Sequence, residues 1–311
     1  MKGSHMSNEH SVRHTGHMAS SGQALTISAW LTGIYFIIEL AIGLWTGSVS
    51  VISDAFHTFS AVGGVLVAIV AARVAKRTAD EKMSFGWFRA EIIGALVNGA
   101  FLLIMAIVVI GMGAMRLGNP IELPTGPMLA AAAGGLVTEF ISLYLLYRQQ
   151  GNDLNVRGAY WHIIQTFVGS LIIIIAALVI RFTGFLAIDP ILGIAFGFVL
   201  LWASWGIIRD AIHLLMEGTP EDISLTDAKA VLQALPGVKD VHHVHAWALT
   251  SGKHVFSAHL LVDNSTVSDP DQLLSDAQKK LVNDLGFYFT TLQIETRCHD
   301  EEHAKAINAV R

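Results

Sequence analysis

The C-terminal part of the sequence concentrates histidine, a side chain that titrates near neutral pH. Seven histidines fall between positions 242 and 303: His242, His243, His245, His254, His259, His299 and His303. Cys298 is the only cysteine, which excludes an intramolecular disulfide and a four-cysteine zinc site. Neutral imidazole is a good ligand for zinc-like ions. The segment therefore predicts a metal site, with a surface-exposed histidine cluster as the alternative.

A second set of titratable side chains lies inside long apolar segments: Glu39, Asp54, His57, Glu91, Glu139 and His162. Ionisable side chains are costly inside a bilayer and are usually functional there. Glu39 and Glu91 lie near segment ends or partner helices and are interpreted as structural, and Asp54 as a carboxylate near a helix start. His57 and His162 are interpreted as metal ligands, because the chain carries so many other histidines.

Composition indicates a membrane protein. Of 311 residues, 53% are hydrophobic and only 14% are charged, whereas soluble domains average about a quarter charged. A wholly soluble enzyme is therefore not expected, and no nucleophile–base pair, phosphate-binding loop or dinucleotide motif indicates an enzyme of any kind. The formal net charge of -5 gives no nucleic-acid footprint.

Apolar segments long enough to cross a bilayer, about 20 residues, predict six transmembrane helices. They cover residues 24–46, 50–74, 92–115, 128–147, 159–180 and 185–208. Seven basic residues fall in the loops on one side and two on the other, so the positive-inside rule predicts that both termini are cytoplasmic. Residues 1–6 are interpreted as a cloning remnant, and residues 1–22 as a disordered tail.

After Arg209 the composition becomes that of a soluble domain, and helix and strand signals alternate. Helices are predicted over 222–235 and 269–285, and strands over 240–250, 254–262 and 287–296. The order αββαβ predicts a small open-faced α+β sandwich. The fold class is thus an α-helical membrane protein with a small α+β domain, divided into a membrane domain over 23–213 and a C-terminal domain over 214–311.

Five motifs resemble those of the cation diffusion facilitators, and they occur in that family's order. They are SDAFH (53–57), FGWFRAEIIGALVNG (85–99), NVRGAYWH (155–162), LLMEGTP (214–220) and GVKDVHHVHAWALTSGKHVFSAH (237–259). The similar part covers residues 24–298 and is most like the cobalt–zinc–cadmium resistance branch, which is similar to the vertebrate zinc transporters. The resemblance implies six transmembrane helices, a homodimer, a cytoplasmic domain of metallochaperone-like (ferredoxin-like) fold, and export of divalent cations in exchange for protons.

The resemblance also implies a transport site in the membrane, where this sequence departs from the family. The family site is built from two pairs of ligands spaced i, i+4, which puts both side chains of a pair on one helix face. The span-two pair is here His57 and Ala61, and the span-five pair is His162 and Thr166. The second-position aspartate of each pair is missing. Two neutral histidines cannot offset a divalent charge in low dielectric, so the ordinary zinc site is predicted to be weakened.

Three explanations for the missing aspartates stay open. In the first, the carboxylates have moved to Asp54 and Glu139. These two would then act with His57, His162 and Thr166. In the second, the protein moves a different or a more hydrated cation. In the third, the protein is a transport-impaired or metal-sensing member of the family, or the substitutions are engineered.

A second metal site is implied for the cytoplasmic domain. Its ligands would be His242, His259 and Glu295, with His245, Cys298 and His299 as further candidates. Metal bound there would draw two protomers together, so that the protein responds to cytoplasmic metal.

The residues and the resemblance together predict a homodimer in a bacterial inner membrane. It would export Zn²⁺, or Cd²⁺ or Co²⁺, by proton antiport and would bind regulatory metal in its cytoplasmic domain. A transport-impaired or metal-sensing paralogue and a transporter of altered cation selectivity are the alternatives within the family. A transporter of a small organic cation is a rival of another class, but it does not explain the C-terminal histidines.

Overall fold

The computed structural model describes residues 9–147, 154–263 and 269–297. Six long helices come first: α1 (Glu9–Thr46), α2 (Val49–Ala75), α3 (Ala90–Gly118), α4 (Thr125–Tyr147), α5 (Leu154–Thr183) and α6 (Ile188–Leu215). Shorter elements follow: α7 (Leu225–Gln233), β1 (Val238–Thr250), β2 (Lys253–Val262), α8 (Pro270–Asn283) and β3 (Phe289–Glu295). The predicted order of elements is therefore present.

Five segments of the described chain are long and apolar enough to cross a membrane: Thr26–Thr46, Ala90–Gly118, Thr125–Tyr147, Thr166–Thr183 and Ile188–Leu215. A helical membrane domain is thus confirmed. The remaining predicted span, residues 50–74, corresponds to α2, which has 27 residues. That α2 crosses the membrane stays a prediction. The prediction of a disordered tail over 1–22 is wrong for residues 9–22, because α1 begins at Glu9. The segment 9–22 contains no proline that would interrupt the helix.

The chain forms two compact units. The first, which we call the membrane unit, comprises residues up to 68 together with 97–207. The second, the C-terminal unit, comprises 69–96 together with everything from 208 onward. It therefore holds the predicted C-terminal domain, the last residues of α2 and α6, the first residues of α3, and the segment that joins α2 to α3.

In the membrane unit, small residues let the helices approach closely. Ala131, Ala132 and Gly135 are among the buried residues of α4. A Cβ atom added at Gly135 would lie 2.7 Å from the Tyr35 hydroxyl of α1 and 2.5 Å from the Ser170 hydroxyl of α5. Close packing of this kind is how membrane helices associate. It brings polar side chains from three helices together in the interior.

The turn between α1 and α2 is held by a carboxylate from α6. Asp189 has no exposed surface. It accepts hydrogen bonds from the Ser48 hydroxyl at 2.6 Å, from the Val49 amide at 2.7 Å, and from the amide and hydroxyl of Ser50. These donors lie at the start of α2, where amide groups lack helical partners. Asp189 thus caps α2 and ties it to α6.

We expect Asp189→Ala to lower the free energy of unfolding by about 2–3 kcal/mol, because it removes a helix cap and leaves buried donors unpaired. Chemical unfolding of the full chain in detergent micelles measures the change. Asp210→Asn is the matched control, because the Asp210 side chain is 60% exposed and pairs only with its neighbour Arg209 among the described contacts. Equal losses in the two variants would contradict the capping role.

The C-terminal unit contains a three-stranded sheet in the order β1-β2-β3. Strands β1 and β2 are antiparallel, and β2 and β3 are parallel, with α8 in the connection between them. Helices α7 and α8 pack against the sheet through a core that includes Leu232, Phe256, Leu281 and Phe287. The Ser224 hydroxyl caps α7, and the Asp269 carboxylate caps α8 just before Pro270. The predicted αββαβ sandwich is present.

Candidate metal-binding sites

Three histidines and a glutamate meet across the sheet of the C-terminal unit. His242 on β1 lies opposite His259 on β2 in the strand register, and Glu295 ends β3. Ligand nitrogens of His242, His243 and His259 lie within 4.8 Å of one another. The Glu295 carboxylate contacts His242 Nε2 at 3.2 Å and His259 Nδ1 at 2.8 Å. We call these four residues the histidine–glutamate cluster.

A bulge in β1 brings His243 into this cluster. Neighbouring residues of a regular strand point to opposite faces of the sheet, so His242 and His243 would normally diverge. The register shifts between His242 and His245, and His243 has a φ of +50°, in the left-handed region. A bulge of this kind redirects a side chain. His243 was not among the predicted ligands, and only the adjacent pair of histidines in the sequence could have drawn attention to it.

His245, a further predicted ligand of this site, is not in the cluster. His245 lies opposite Ser257 in the register of β1 and β2. Its imidazole is not in the group whose ligand atoms come within 4.8 Å of each other, among the side chains that the structure describes. Cys298 and His299 lie outside the described residues.

The pKa values of two histidines in and beside the cluster, His259 and His245, are lowered. Burial lowers the pKa of His259, and the nearby His243 and His242 lower it further, whereas Glu295 acts in the opposite direction. Burial, with His243 and His259, also lowers the pKa of His245. Metal ions bind the deprotonated ring. Three imidazoles and a carboxylate are the nitrogen and oxygen donors that zinc-like ions take.

The lowered histidine pKa values predict the pH dependence of stability in the metal-free protein. Because His245 and His259 bind a proton less readily when folded, the unfolded chain takes up more protons as the pH falls below about 6.5. The free energy of unfolding of the C-terminal unit should therefore decrease from about pH 7.5 to about pH 5.5.

Hydrogen exchange of β1 and β2 in the chelator-treated full chain, corrected for intrinsic rates, measures this effect. The double variant His245→Gln, His259→Gln should have a smaller pH slope than the unmodified protein. Equal slopes in the two proteins would assign the pH dependence to other groups.

A polar cavity lies between helices α1, α2, α4 and α5 of the membrane unit. It is lined by Thr32, Tyr35, Thr58, Thr138, Glu139, Ser142, Ile163 and Thr166. Six of these residues carry a hydroxyl group, and Glu139 carries a carboxylate. Oxygen donors of these types can bind a divalent cation, with or without water.

Glu139 supplies the carboxylate of this cavity. Its side chain is buried, and Oε1 accepts a hydrogen bond from the Ser170 hydroxyl at 3.0 Å. Oε2 is buried without a hydrogen-bond partner among the described residues. The Thr166 hydroxyl donates to the Ile163 carbonyl at 2.8 Å. Glu139 thus has an oxygen available in the cavity that Thr166 also lines.

The predicted transmembrane ligands fall into separate groups. Glu139 and Thr166 share the cavity. His57 is buried, with its ring 5.5 Å from that of Phe196 in an edge-on arrangement, and the side chain of His162 lies outside the described residues. Asp54 faces Glu39, a residue interpreted from sequence as structural, and their carboxyl groups are within hydrogen-bonding reach.

The segment that joins α2 to α3 packs against the same sheet as the histidine–glutamate cluster. The Lys253 ammonium, at the start of β2, lies 3.9 Å from the ring centre of Phe88 and 4.6 Å from that of Tyr288. The Thr250 hydroxyl donates to the Glu91 carboxylate at 2.5 Å. Glu91 therefore has the structural role that the sequence indicated, although its partner lies in β1.

A buried carboxylate in a cavity of a helical membrane unit, together with a histidine–glutamate cluster in a small α+β domain, is typical of a membrane protein that handles cations. Comparison with known families gives a more specific assignment. Residues 25–216 match the cation efflux transmembrane domain, and residues 220–297 match the cation efflux protein cytoplasmic domain. The chain belongs to the cation efflux family, as the sequence motifs indicated.

The proteins to which the chain is similar include bacterial metal transporters. The chain is 33% identical to the metal cation efflux system protein CzcD of Cupriavidus metallidurans over 94% of this chain and 93% of the relative. It is also 33% identical to the cadmium, cobalt and zinc/H⁺-K⁺ antiporter of Bacillus subtilis over 94% of both. The zinc transporter ZitB of Escherichia coli is 31% identical over 93% of this chain and 94% of the relative.

Proposed function

We propose that the protein exports divalent metal ions, Zn²⁺ foremost and also Cd²⁺ and Co²⁺, across a bacterial inner membrane in exchange for protons. The observation that carries the proposal is the buried Glu139 carboxylate in the hydroxyl-lined cavity beside Thr166. The names of the full-length relatives, which include zinc transporters and a proton-linked antiporter, support the choice of substrate.

In this proposal Glu139 supplies the negative charge that Ala61 and Thr166 do not. A divalent ion in a membrane interior needs a carboxylate to offset its desolvation. Glu139 Oε2 would bind the ion, with His57, His162 and the Thr166 hydroxyl as the other candidate ligands. Asp54 is left out of this set, because its carboxyl group faces Glu39 and not the cavity.

Exchange for protons follows from the ligand types. Histidine titrates near neutral pH, and a metal ion displaces the proton from the ring it binds. A site loaded alternately with metal and with protons can therefore couple their flows in opposite directions. With both termini cytoplasmic, the metal would leave the cytoplasm as protons enter.

Flux measurements on reconstituted vesicles test the proposal. Zn²⁺, Cd²⁺ and Co²⁺ uptake would be followed under an imposed pH gradient in the unmodified protein and in His57→Ala. We expect flux that grows with the gradient and is lost in the variant. Metal flux that ignores the pH gradient would refute antiport, and the absence of any flux would refute export.

A transport-impaired, metal-sensing paralogue is the second candidate. It is favoured by one observation: the Thr166 hydroxyl is already hydrogen-bonded to the Ile163 carbonyl, and Ala61 offers no ligand. The double variant Ala61→Asp, Thr166→Asp separates the two candidates. Flux that appears only after these aspartates are introduced would support the sensor.

Regulatory metal binding is proposed for the histidine–glutamate cluster. The strands that carry the cluster also carry the contacts to the α2–α3 segment, through Lys253 on β2 and Thr250 on β1. Metal binding that tightens the sheet would therefore also change the contacts that these strands make at the start of α3. The cytoplasmic-domain family match supports a homodimer, in which this response would be shared by two protomers.

A further inference from the structure

A pair of carboxyl groups lies in the membrane unit, apart from the polar cavity. Glu39 on α1 has no exposed surface, and Asp54 on α2 is 2% exposed. Their side chains are within hydrogen-bonding reach of each other. Asp54 packs directly on Gly169 of α5, where any side chain would clash with its carboxylate. Neither residue lines the cavity that holds Glu139.

Among the described residues, no donor has hydrogen-bond geometry toward Glu39 or Asp54 Oδ1, although the Tyr35 hydroxyl lies within reach of Glu39. Both Glu39 oxygens and Asp54 Oδ1 are buried without a hydrogen-bond donor. The Tyr35 hydroxyl lies beside Glu39, but its one hydrogen is directed to the Ala131 carbonyl at 2.7 Å. Two ionised carboxylates in contact repel each other, and a single shared proton supplies the missing donor.

The charged and titratable neighbours on each packed helix are few. Tyr35 lies on α1, His57 is one turn from Asp54 on α2, Glu139 is the acid of α4, and α5 contributes the Ser170 hydroxyl, which donates to Glu139. No lysine or arginine occurs between Arg13 and Arg73 or within α4. No lysine or arginine from residues 14–72 or from α4 therefore neutralises the pair.

We propose that Glu39 and Asp54 form a proton-binding site that is separate from the metal ligands and carries a proton of the exchange. This inference rests on the proposed antiport function and deepens it. The shared proton lies between the two carboxyl groups, and the Tyr35 oxygen is an acceptor through which it can leave toward the cavity, because Tyr35 also lines that cavity.

The position of the pair explains how metal and proton would exclude each other. Asp54 is three residues before His57, and Gly169, on which Asp54 packs, is three residues after Thr166. Residues three apart lie on one helix face, about one turn from each other. A divalent ion one turn away favours ionised carboxylates and so expels the proton. When the ion leaves, the pair takes a proton back.

The experiment reconstitutes the full chain with a pH-sensitive dye and a metal-sensitive dye in the same vesicles. It compares the unmodified protein with Glu39→Gln, Asp54→Asn and the double variant, and uses Glu122→Gln, an exposed loop position, as control. If one proton is lost from the exchange, metal accumulation should fall by about tenfold per unit of imposed pH gradient. The number of protons released per metal ion should also fall, while downhill metal flux continues in both single variants.

A second measurement does not depend on transport. The carbonyl stretch of a protonated carboxyl, followed by infrared difference spectroscopy of the full chain across pH, should titrate in the unmodified protein and disappear in both single variants. Glu39→Gln supplies a permanent donor to Asp54, so its thermal unfolding midpoint should be less pH-dependent than that of the unmodified protein. This variant keeps the test decisive where the double variant does not fold.

Each of the remaining outcomes would overturn either the proton-binding site or the proposed export. An unchanged proton-to-metal ratio together with an unchanged infrared band in the variants would overturn the proton site. Loss of a response to a potassium gradient at equal pH, with proton coupling intact, would also overturn it and assign the pair to a potassium ion. If the unmodified protein moves no metal, the proposed export fails, while the infrared titration still decides whether the pair holds a proton.

Discussion

Glu139→Gln is expected to reduce metal flux at least about 100-fold while leaving the protein folded. The substitution keeps the size of the side chain and its hydrogen bond with Ser170, but it removes the carboxylate charge of the cavity. Without that charge, a divalent ion has no counter-charge for its desolvation, and a loss of about 3 kcal/mol of binding free energy corresponds to about 100-fold. Zinc uptake by reconstituted vesicles measures the effect.

Two controls separate the charge of Glu139 from its packing. Glu122→Gln removes an acidic group at an exposed position and should leave flux unchanged. Ser170→Ala removes the donor to Glu139 Oε1 and keeps the charge, so a reduction of less than about tenfold is expected. Flux in Glu139→Gln equal to that of the unmodified protein would show that the missing aspartates are not replaced by Glu139.

A different variant, His57→Ala, tests the selectivity among metal ions. The described cavity offers hydroxyl and carboxylate oxygens, which suit hard cations, whereas zinc prefers nitrogen and sulfur ligands as well. The imidazoles of His57 and His162 would have to supply the nitrogen. His57→Ala should therefore affect zinc and cadmium more strongly than manganese, and equal losses for all three ions would indicate that His57 does not bind the metal.

The helices and the sheet could be predicted from the sequence because their signals are long and repetitive. An uncharged stretch such as 92–115 admits few interpretations, and the structure places α3 over Ala90–Gly118. The order of strands and helices after Arg209 followed from alternating apolar residues and from the glycines and prolines between them. Signals of this kind are local, so they do not depend on which elements later pack together.

The contents of the two sites were harder to predict, because they depend on contacts between elements. His243 is in the cluster because of a bulge that no residue pattern predicts, whereas His245, a further candidate ligand, is not in it. Glu39 was interpreted as structural, since nothing in a single helix reveals that its side chain meets Asp54 on the next one. The hydroxyls of the cavity resemble the many serines and threonines that bond to their own helix.

The second large effect is expected on metal affinity, because His243 lies in the histidine–glutamate cluster and His245 does not. His243→Gln, His259→Ala and Glu295→Gln should each weaken metal binding at the histidine–glutamate cluster, by at least about 100-fold for His259, which also contacts Glu295 directly. His245→Gln lies on the same strand outside the cluster and should change the affinity by less than about threefold. Each variant keeps the rest of the sheet, so competition with a zinc chelator on the full chain compares them directly.

To separate this cluster from the membrane ligands, the comparison is made in a His57→Ala, Glu139→Gln background. One outcome would contradict the ligand set of the structure: weakened binding in His245→Gln with unchanged binding in His243→Gln. That result would mean that His245, and not His243, binds the metal. The opposite result means that the left-handed backbone at His243, which costs energy in the folded chain, is kept because it places a third imidazole beside Glu295.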